Sequence, residues 1–530
     1  MKRLKNVRRL RHAILLAVLF LAAASAQAFN DFPLRDSAVA RQYALWAQGM
    51  IESGDWQRAL AGLERAADFA DVSSDISYML AQARAHTGGS RRLVLEALDT
   101  ALHLNRWDMF DSETARLLRS RTLIEMGAHH EALTELSRVR PSPQEAVLNL
   151  RALAASRPQD FFARAEQVFD MYPRETEPVR VFFDFLHARQ RAGHMPSAQE
   201  MRLLELVIRR LPVLLDDDPA LAWMAAPFIW DRTEATRLIL AYRALNPPSQ
   251  QSIPASLRLL AIDEETAVNE LFAFSTIERT ILDDMRFLML DLDAILLFER
   301  NLSEFNGVIT EDANGDGIPE TFAEYVDGML VRLVFDADQD NESDITVYFE
   351  GGLPVRALAR LPPEGGVAPT AVIRWERHPA VLDVVLNGVT YIPRPFAFFH
   401  SPFVFSNVWG SGLLFPERDP IVPSLNRRAL VSNSLHLQRP SLEFHGGVEV
   451  IELDSGIPVR AQEFVGGRVV ADMEFFRGLP QFQRVDLTLS GRMDTVRRFS
   501  APLVTVELED MWHYNREVEY TFYGVQWLHD

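Results

Sequence analysis

The chain contains no cysteine in 530 residues. Disulfides, thiolate metal sites and a cysteine for lipid attachment are therefore excluded, and stability must come from packing. Long hydrophobic runs are also missing. The longest, Ala13 to Ala24, falls well short of the roughly 20 apolar residues that span a bilayer. Positive charge is scarce, with 54 Lys and Arg against 73 Asp and Glu, and the formal net charge is -19. Such a balance disfavours phosphate backbones and anionic lipid surfaces; it suits solubility, cation binding or a basic partner. Enzyme signatures are missing too: no Gly-x-Ser-x-Gly elbow, no phosphate-cradling loop, no His-Glu-x-x-His zinc helix and no dinucleotide-binding glycine fingerprint after a strand. With this many carboxylates some pair is inevitable, so no glycosidase-like dyad can be inferred. The expectation is a protein that is not an enzyme.

The ordinary composition, 48% hydrophobic and 24% charged, argues for folded domains, and the length for more than one. The first residues point to export. Lys2, Arg3, Lys5, Arg8, Arg9 and Arg11 precede the short apolar run, and Ala26-Gln27-Ala28 reads as a cleavage site. Residues 1–28 are thus expected to be a signal peptide, with the mature chain starting at Phe29, carrying a charge of -25 and residing in the periplasm or beyond.

From Asp31 to about Arg300 the apolar spacing is helical, in runs punctuated by Gly, Pro and Asp. Tyr43, Trp46, Ala47 and Met50 fall on one helix face, Gly54 makes a turn, and Ala59, Leu63 and Ala66 fall on the next helix. A second unit begins with Tyr78, Leu80, Ala81 and Gly88, and continues with Ala97 and Ala101. A third has Ser120 and Leu123 before Gly127, then Ala132, Leu136 and Val139, with Arg116 and Arg119 at positions expected to be bulky and apolar. These spacings resemble the tetratricopeptide repeat over residues 29–140. The resemblance implies antiparallel helix pairs stacked into a solenoid whose groove receives a protein or peptide partner. Residues 141–300 read as a solenoid-like helical extension of unassigned repeat type. Within it, Asp216-Asp217-Asp218 before Pro219 reads as a helix cap, and His129-His130 in the preceding region reads as a solvated turn.

Beyond about Phe305 the period changes to two, so residues 301–530 are expected to form an antiparallel β domain. Turn pairs recur at Asn306-Gly307, Asp327-Gly328, Gly351-Gly352, Asn387-Gly388, Gly466-Gly467 and Ser490-Gly491. The string Gly-x-x-Val-Arg occurs at Gly328–Arg332, Gly352–Arg356 and Gly456–Arg460, against roughly 0.2 occurrences expected from average usage. Its simplest cause is duplication of a hairpin. Alternation would then put Val and Arg on opposite strand faces, with one face buried. This region loosely resembles MORN-like Gly-turned hairpin repeats of bacterial envelope proteins. The run from Pro395 to Phe405 is strongly aromatic and is expected to be buried against a sheet.

The sharpest local signal is a pair of acidic loops. Asp312-x-Asn314-x-Asp316-Gly317-x-x-Glu320 is followed 24 residues later by Asp336-x-Asp338-x-Asp340-Asn341-x-x-Asp344. Both place oxygen ligands at positions 1, 3, 5 and 9, as in the first three-quarters of an EF-hand loop, and so suggest weak calcium sites. Position 12, where an EF-hand has a bidentate Glu, holds Ala323 or Val347, and Glu324 falls one residue late. The competing reading is turn chemistry alone. The sequence as a whole thus describes an all-α solenoid followed by a β-hairpin repeat domain. Its expected role is a non-catalytic interaction scaffold of the bacterial envelope; the alternative is a calcium-stiffened structural or adhesive component acting through its β half.

Overall fold

The computed structural model describes residues 32–69, 73–194, 196–361, 370–377, 380–394, 405–407, 409, 413–416, 427–500 and 503–508. The expected signal peptide, residues 1–28, and nearly all of the aromatic run from Pro395 lie outside them. Two compact units emerge. The first holds the chain up to Asn246 together with Asn314–Ile318 and Asp338–Glu342; the second holds Pro247–Ala313, Pro319–Ala337 and the chain from Ser343.

The first unit opens with three antiparallel helix pairs: α1 (Phe32–Glu52) with α2 (Trp56–Ala67), α3 (Ser74–His86) with α4 (Arg91–Leu104), and α5 (Ser112–Glu125) with α6 (His129–Leu136). Each pair is turned by a glycine in the left-handed region: Gly54 at φ +79°, Gly88 at +71° and Gly127 at +69°. Asp55, Ser73 and Asp111 cap the following helices by accepting backbone N–H groups. Ala47, Ala59, Ala66, Ala81, Ala97 and Ala101 are buried at the helix contacts. Small side chains let the axes approach, and Gly62 goes further: a Cβ there would lie 2.6 Å from the Trp46 ring. The indole covers that bare backbone while remaining half exposed.

Arg116 and Arg119, which fit the repeat pattern poorly, have a physical reason to be there. Buried Glu135 on α6 pairs with Arg116 at 2.6 Å, Arg138 at 2.8 Å and Arg119 at 3.7 Å, and Arg119 also reaches Asp99 at 2.8 Å. A polar hub thus replaces apolar filling. The extension follows as α7 (Pro143–Ser156), α8 (Pro158–Met171), α9 (Glu177–Arg191) and α10 (Ala198–Leu214), with a core that includes Phe161, Phe162, Phe169, Phe182, Phe183 and Phe185. Asp218 is an anchor in the turn before the next helix, not its cap: that helix starts from Ala220 with no side-chain cap. Asp218 accepts the Ala220 N–H and pairs in fork fashion with Arg180, on α9. A short helix, α11 (Leu221–Ala225), and a full-length one, α12 (Arg232–Leu245), complete the unit.

The second unit is an antiparallel meander with helices against one face. Helices α13 (Ser252–Arg258), α14 (Glu264–Leu271), α15 (Arg279–Leu288) and α16 (Leu292–Ser303) share one core with the sheet, although their spacing reads as a continuation of the solenoid. Strand β1 (Thr276–Glu278) pairs in parallel with β2 (Gly307–Glu311). From β2 the chain continues through β3 (Thr321–Val326), β4 (Met329–Phe335), β5 (Ile345–Glu350), β6 (Leu353–Arg360), β7 (Thr370–Arg377), β8 (Ala380–Leu386) and β9 (Val389–Pro393). After a separate ribbon, β10 (Phe405–Asn407) and β11 (Leu414–Pro416), and helix α17 (Arg427–Asn433), the same sheet resumes. Its later strands are β12 (Ser434–Pro440), β13 (Val448–Asp454), β14 (Ile457–Val465), β15 (Arg468–Phe476), β16 (Leu479–Val485), β17 (Thr495–Ser500) and β18 (Leu503–Leu508).

Register explains the core. Ala323, Leu333, Val347, Ala357, Ile373, Val384, Tyr391, Leu437, Ile451, Ala461 and Met473 stand opposite one another in turn across the sheet, and all are buried. Hairpin turns at Asp327-Gly328, Gly351-Gly352, Asn387-Gly388 and Gly466-Gly467 have positive φ at both residues, as two-residue turns matching the strand twist require. Ser455-Gly456 and Arg477-Gly478 form the same turn without being obvious in sequence. Asn306-Gly307 instead leads from α16 into β2, and Ser490-Gly491 lies in a longer loop.

The repeated Gly-x-x-Val-Arg string does not alternate as expected. Glu324 faces Arg332 while Tyr325 faces Leu330, which leaves Val331 as the extra residue of a β-bulge. Val355 and Val459 occupy the same place. The residues that enter the core are those before Val and after Arg: Leu330 and Leu333, Pro354 and Ala357, Pro458 and Ala461. The repeated unit is therefore a bulged hairpin, and nothing in it is specific to the MORN repeat.

Candidate functional site: acidic loops and a helical pocket

Three nine-residue loops share one construction. Residues 312–320, 336–344 and 486–494 join β2 to β3, β4 to β5 and β16 to β17, closing on the pairs Glu311–Thr321, Phe335–Ile345 and Val485–Thr495. In each, the N–H at position 2 is accepted by the carboxylate at position 9: Ala313 by Glu320 at 2.8 Å, Ala337 by Asp344 at 2.8 Å and Leu487 by Asp494 at 3.1 Å. Positions 4 and 6 have positive φ in all three, at Gly315 and Gly317, Gln339 and Asn341, Leu489 and Gly491. The third loop escapes a search for carboxylates because Thr488 and Ser490 stand where the other two carry Asn314 or Asp338 at position 3 and Asp316 or Asp340 at position 5. Its legible signal was Asp486, Gly491 and Asp494 at the same spacing.

The carboxylates at position 5 also serve the backbone. Asp316 Oδ1 accepts the Ile318 N–H at 2.8 Å, and Asp340 Oδ1 accepts the Glu342 N–H at 2.8 Å. Among the described residues, the second loop brings Asp336, Asp338 and Asp340 together, with one oxygen of each inside a 4.8 Å group. Asp340 is completely buried and Asp336 nearly so. Asp312, Asp316, Glu320 and Asp344 are not part of this group, and the Asn314 side-chain oxygen accepts the Asp316 N–H at 2.8 Å. Ala323 and Val347, at position 12, are buried in the sheet core, and Glu324 is turned to Arg332 at 3.1 Å. A bidentate ligand of the EF-hand kind is thus absent from these loops.

A cation already stands at the acidic group. Arg92 pairs with Asp340 through Nε at 2.8 Å and also with Asp338, while the Arg91 N–H donates to the Asp340 carbonyl at 2.7 Å. Leaving a buried carboxylate uncompensated costs several kcal/mol, so the guanidinium offsets a penalty that a metal ion would otherwise have to meet. The three oxygens fit a hard divalent cation by donor chemistry, but such an ion must compete with Arg92.

The helical unit has a pocket of about 350 Å³ between α9 and α10. Leu186, Met201, Leu204, Phe228 and Trp230 supply its apolar lining, with Arg189 and His194 among the polar groups. Glu200 sets the polar side: it is buried, forms a capping box with Ser197 and pairs with Arg189 at 3.1 Å. Arg189 in turn lies over the Phe162 and Phe185 rings at 5.9 and 5.7 Å. Trp230 is 90% exposed, a high value for so large an apolar side chain. The spacing of the helical extension gave no hint of this pocket.

No protein-family model matches the sequence. An uncharacterised protein of Treponema pallidum (strain Nichols) is 23% identical over 607 residues, covering 89% of this chain and 74% of its own. A tetratricopeptide repeat protein from Parabacteroides merdae ATCC 43184 aligns in structure with 50% of this chain and 99% of its own, at 12% identity and a TM-score of 0.34. Likeness at that level assigns nothing beyond what the helix pairs show by themselves: a distant tetratricopeptide-like helical repeat, with a separate β-rich repeat region. Among the described residues no helix is long and apolar enough to cross a membrane.

Proposed function

We propose that this protein is an exported interaction scaffold of the bacterial envelope, which binds a protein or peptide segment through its helical unit. The carrying observation is the apolar pocket between α9 and α10 with Trp230 standing exposed at its rim. Solenoids bind through extended complementary surfaces, and aromatic anchors seated in pockets supply most of the energy in such contacts. Export rests on the basic start, short apolar run and Ala26-Gln27-Ala28 of the sequence. The test is photo-crosslinking in living cells, with benzoylphenylalanine in place of Trp230 in the full-length protein. One discrete adduct is expected, and it should be lost when Leu204→Asp introduces a charge into the pocket lining. A partner captured from Arg332 on the sheet and never from position 230 would instead favour action through the β region.

A second reading has its own observation. The loop at 486–494 closes with Thr488 and Ser490 where the other two carry acids and an amide, so the loop geometry does not itself require Asp316, Asp338 or Asp340. In this reading the surplus carboxylates hold calcium weakly and stiffen a structural or adhesive β-repeat region.

A further inference from the structure

The corner where α15 runs into α16 buries one side, with α15 packed on α13 and α16 on α14, and leaves apolar side chains exposed on the other. Ile281, Leu282, Met285, Met289, Ala294, Phe298 and Leu302 enter the core of the second unit. Within the same stretch Phe287 is 84% exposed, Leu290 87%, Leu292 67% and Leu296 54%. Single exposed apolar residues are ordinary, but four within ten residues form a concentration that soluble surfaces rarely show without use. Leu292 and Leu296, four apart on α16, share a helix face.

The connecting segment is held rather than loose. The Glu264 carboxylate, at the start of α14, accepts the Leu290 N–H at 3.0 Å and the Asp291 N–H at 2.9 Å. Asp291 then caps α16 by accepting the Asp293 N–H at 3.0 Å. The surface is thereby preorganised, which lowers the ordering cost of binding.

Charge selects the occupant. Residues 263–304 contain eleven acidic and three basic side chains. Asp283, Asp291, Asp293 and Glu265 are exposed on α14, α15 and α16 about this corner, and one of the basic groups, Arg279, is committed to Glu311 at 3.0 Å. An anionic lipid surface would be repelled, and a second copy of this chain would face one acidic rim with another. A basic amphipathic helix satisfies both the apolar centre and the acidic rim. We propose that the α15–α16 corner docks a partner polypeptide presenting an amphipathic helix whose apolar face is flanked by Lys and Arg, at a surface separate from the helical pocket.

The test uses the full-length protein and a fluorescent Leu/Lys peptide of about 18 residues, five helical turns. Controls are a scrambled peptide of the same composition and a Leu/Glu peptide of the same pattern. Leu290→Ser with Leu292→Ser should weaken binding by about tenfold or more. Asp291→Asn with Asp293→Asn should weaken it and flatten its salt dependence, since Asn retains the capping oxygen. Leu245→Ser, an equally exposed leucine in the helical unit, should leave affinity unchanged, with circular dichroism confirming that every variant folds. The proposal is overturned if the scrambled or Leu/Glu peptide binds as well, or if Leu290→Ser with Leu292→Ser has no effect. It is equally overturned if that double variant abolishes self-association or binding to phosphatidylglycerol vesicles while peptide binding persists.

Discussion

Glu463, on β14, shows how one buried acid ties stability to pH. It is 8% exposed and accepts the Ser441 hydroxyl. Burial first, then the nearby Glu449 and Glu443, raise its pKa above the ordinary 4.5, against the lowering effect of Ser441 and Arg497. The folded state therefore holds this proton to higher pH than the unfolded state does. The contribution of Glu463 to stability is most favourable below about pH 4.5 and declines as pH rises through the raised value. Glu463→Gln keeps the shape and removes the titration, so it should raise the urea midpoint at neutral pH relative to the parent and lose that advantage at about pH 4. An equal difference at both pH values would mean that ionisation of Glu463 has no part in it. Asp218 and Glu135 illustrate the same scale differently: each is legible as an acid, but its partner is not, because Arg180 lies 38 residues from Asp218 and Arg116 lies 19 from Glu135.

At the level of the element, two glycines with similar φ should differ sharply in what they tolerate. Gly466 turns β14 into β15 at φ +57° with nothing within 4 Å of where a Cβ would stand; Gly328 turns β3 into β4 at +68°, where a Cβ would lie 2.2 Å from the Ser303 carbonyl oxygen. Gly466→Ala meets only the left-handed penalty, about 1 kcal/mol. Gly328→Ala must also push back the end of α16 and should cost at least about 2 kcal/mol more, measured by equilibrium urea unfolding. Similar losses at the two sites would show that the Ser303 contact yields freely. These turns were readable because tight hairpins demand particular residues. The bulge was not: that Val331, Val355 and Val459 are surplus residues depends on which strand each faces, and pairing is a tertiary fact. The same gap hid the helices from Ser252 to Ser303, whose spacing says helix but not which core they join. It also hid the loop at 486–494, where the fold persists after the acids have gone.

For the molecule as a whole, a formal charge of -19 must be reconciled with compact cores, and Arg92 shows how part of this is done. The calcium reading makes that arginine a competitor. If Asp336, Asp338 and Asp340 hold a divalent ion, calcium should raise the thermal midpoint of the full-length protein. At ten times its dissociation constant the gain is roughly 1.4 kcal/mol. Magnesium should do less, because it demands near-octahedral geometry and dehydrates reluctantly. Asp316→Ala with Asp340→Ala should remove the response, but that variant also breaks the pair with Arg92 and is ambiguous alone. Arg92→Gln separates the readings. Removing the guanidinium leaves a buried carboxylate in need of a counter-charge, so the variant should be less stable without metal and respond more strongly to calcium than the parent does. If the loops are turns and nothing more, Arg92→Gln will be destabilised by the same amount with and without millimolar calcium at constant ionic strength. The acids will then be accounted for by Arg92 and by the backbone N–H groups they accept.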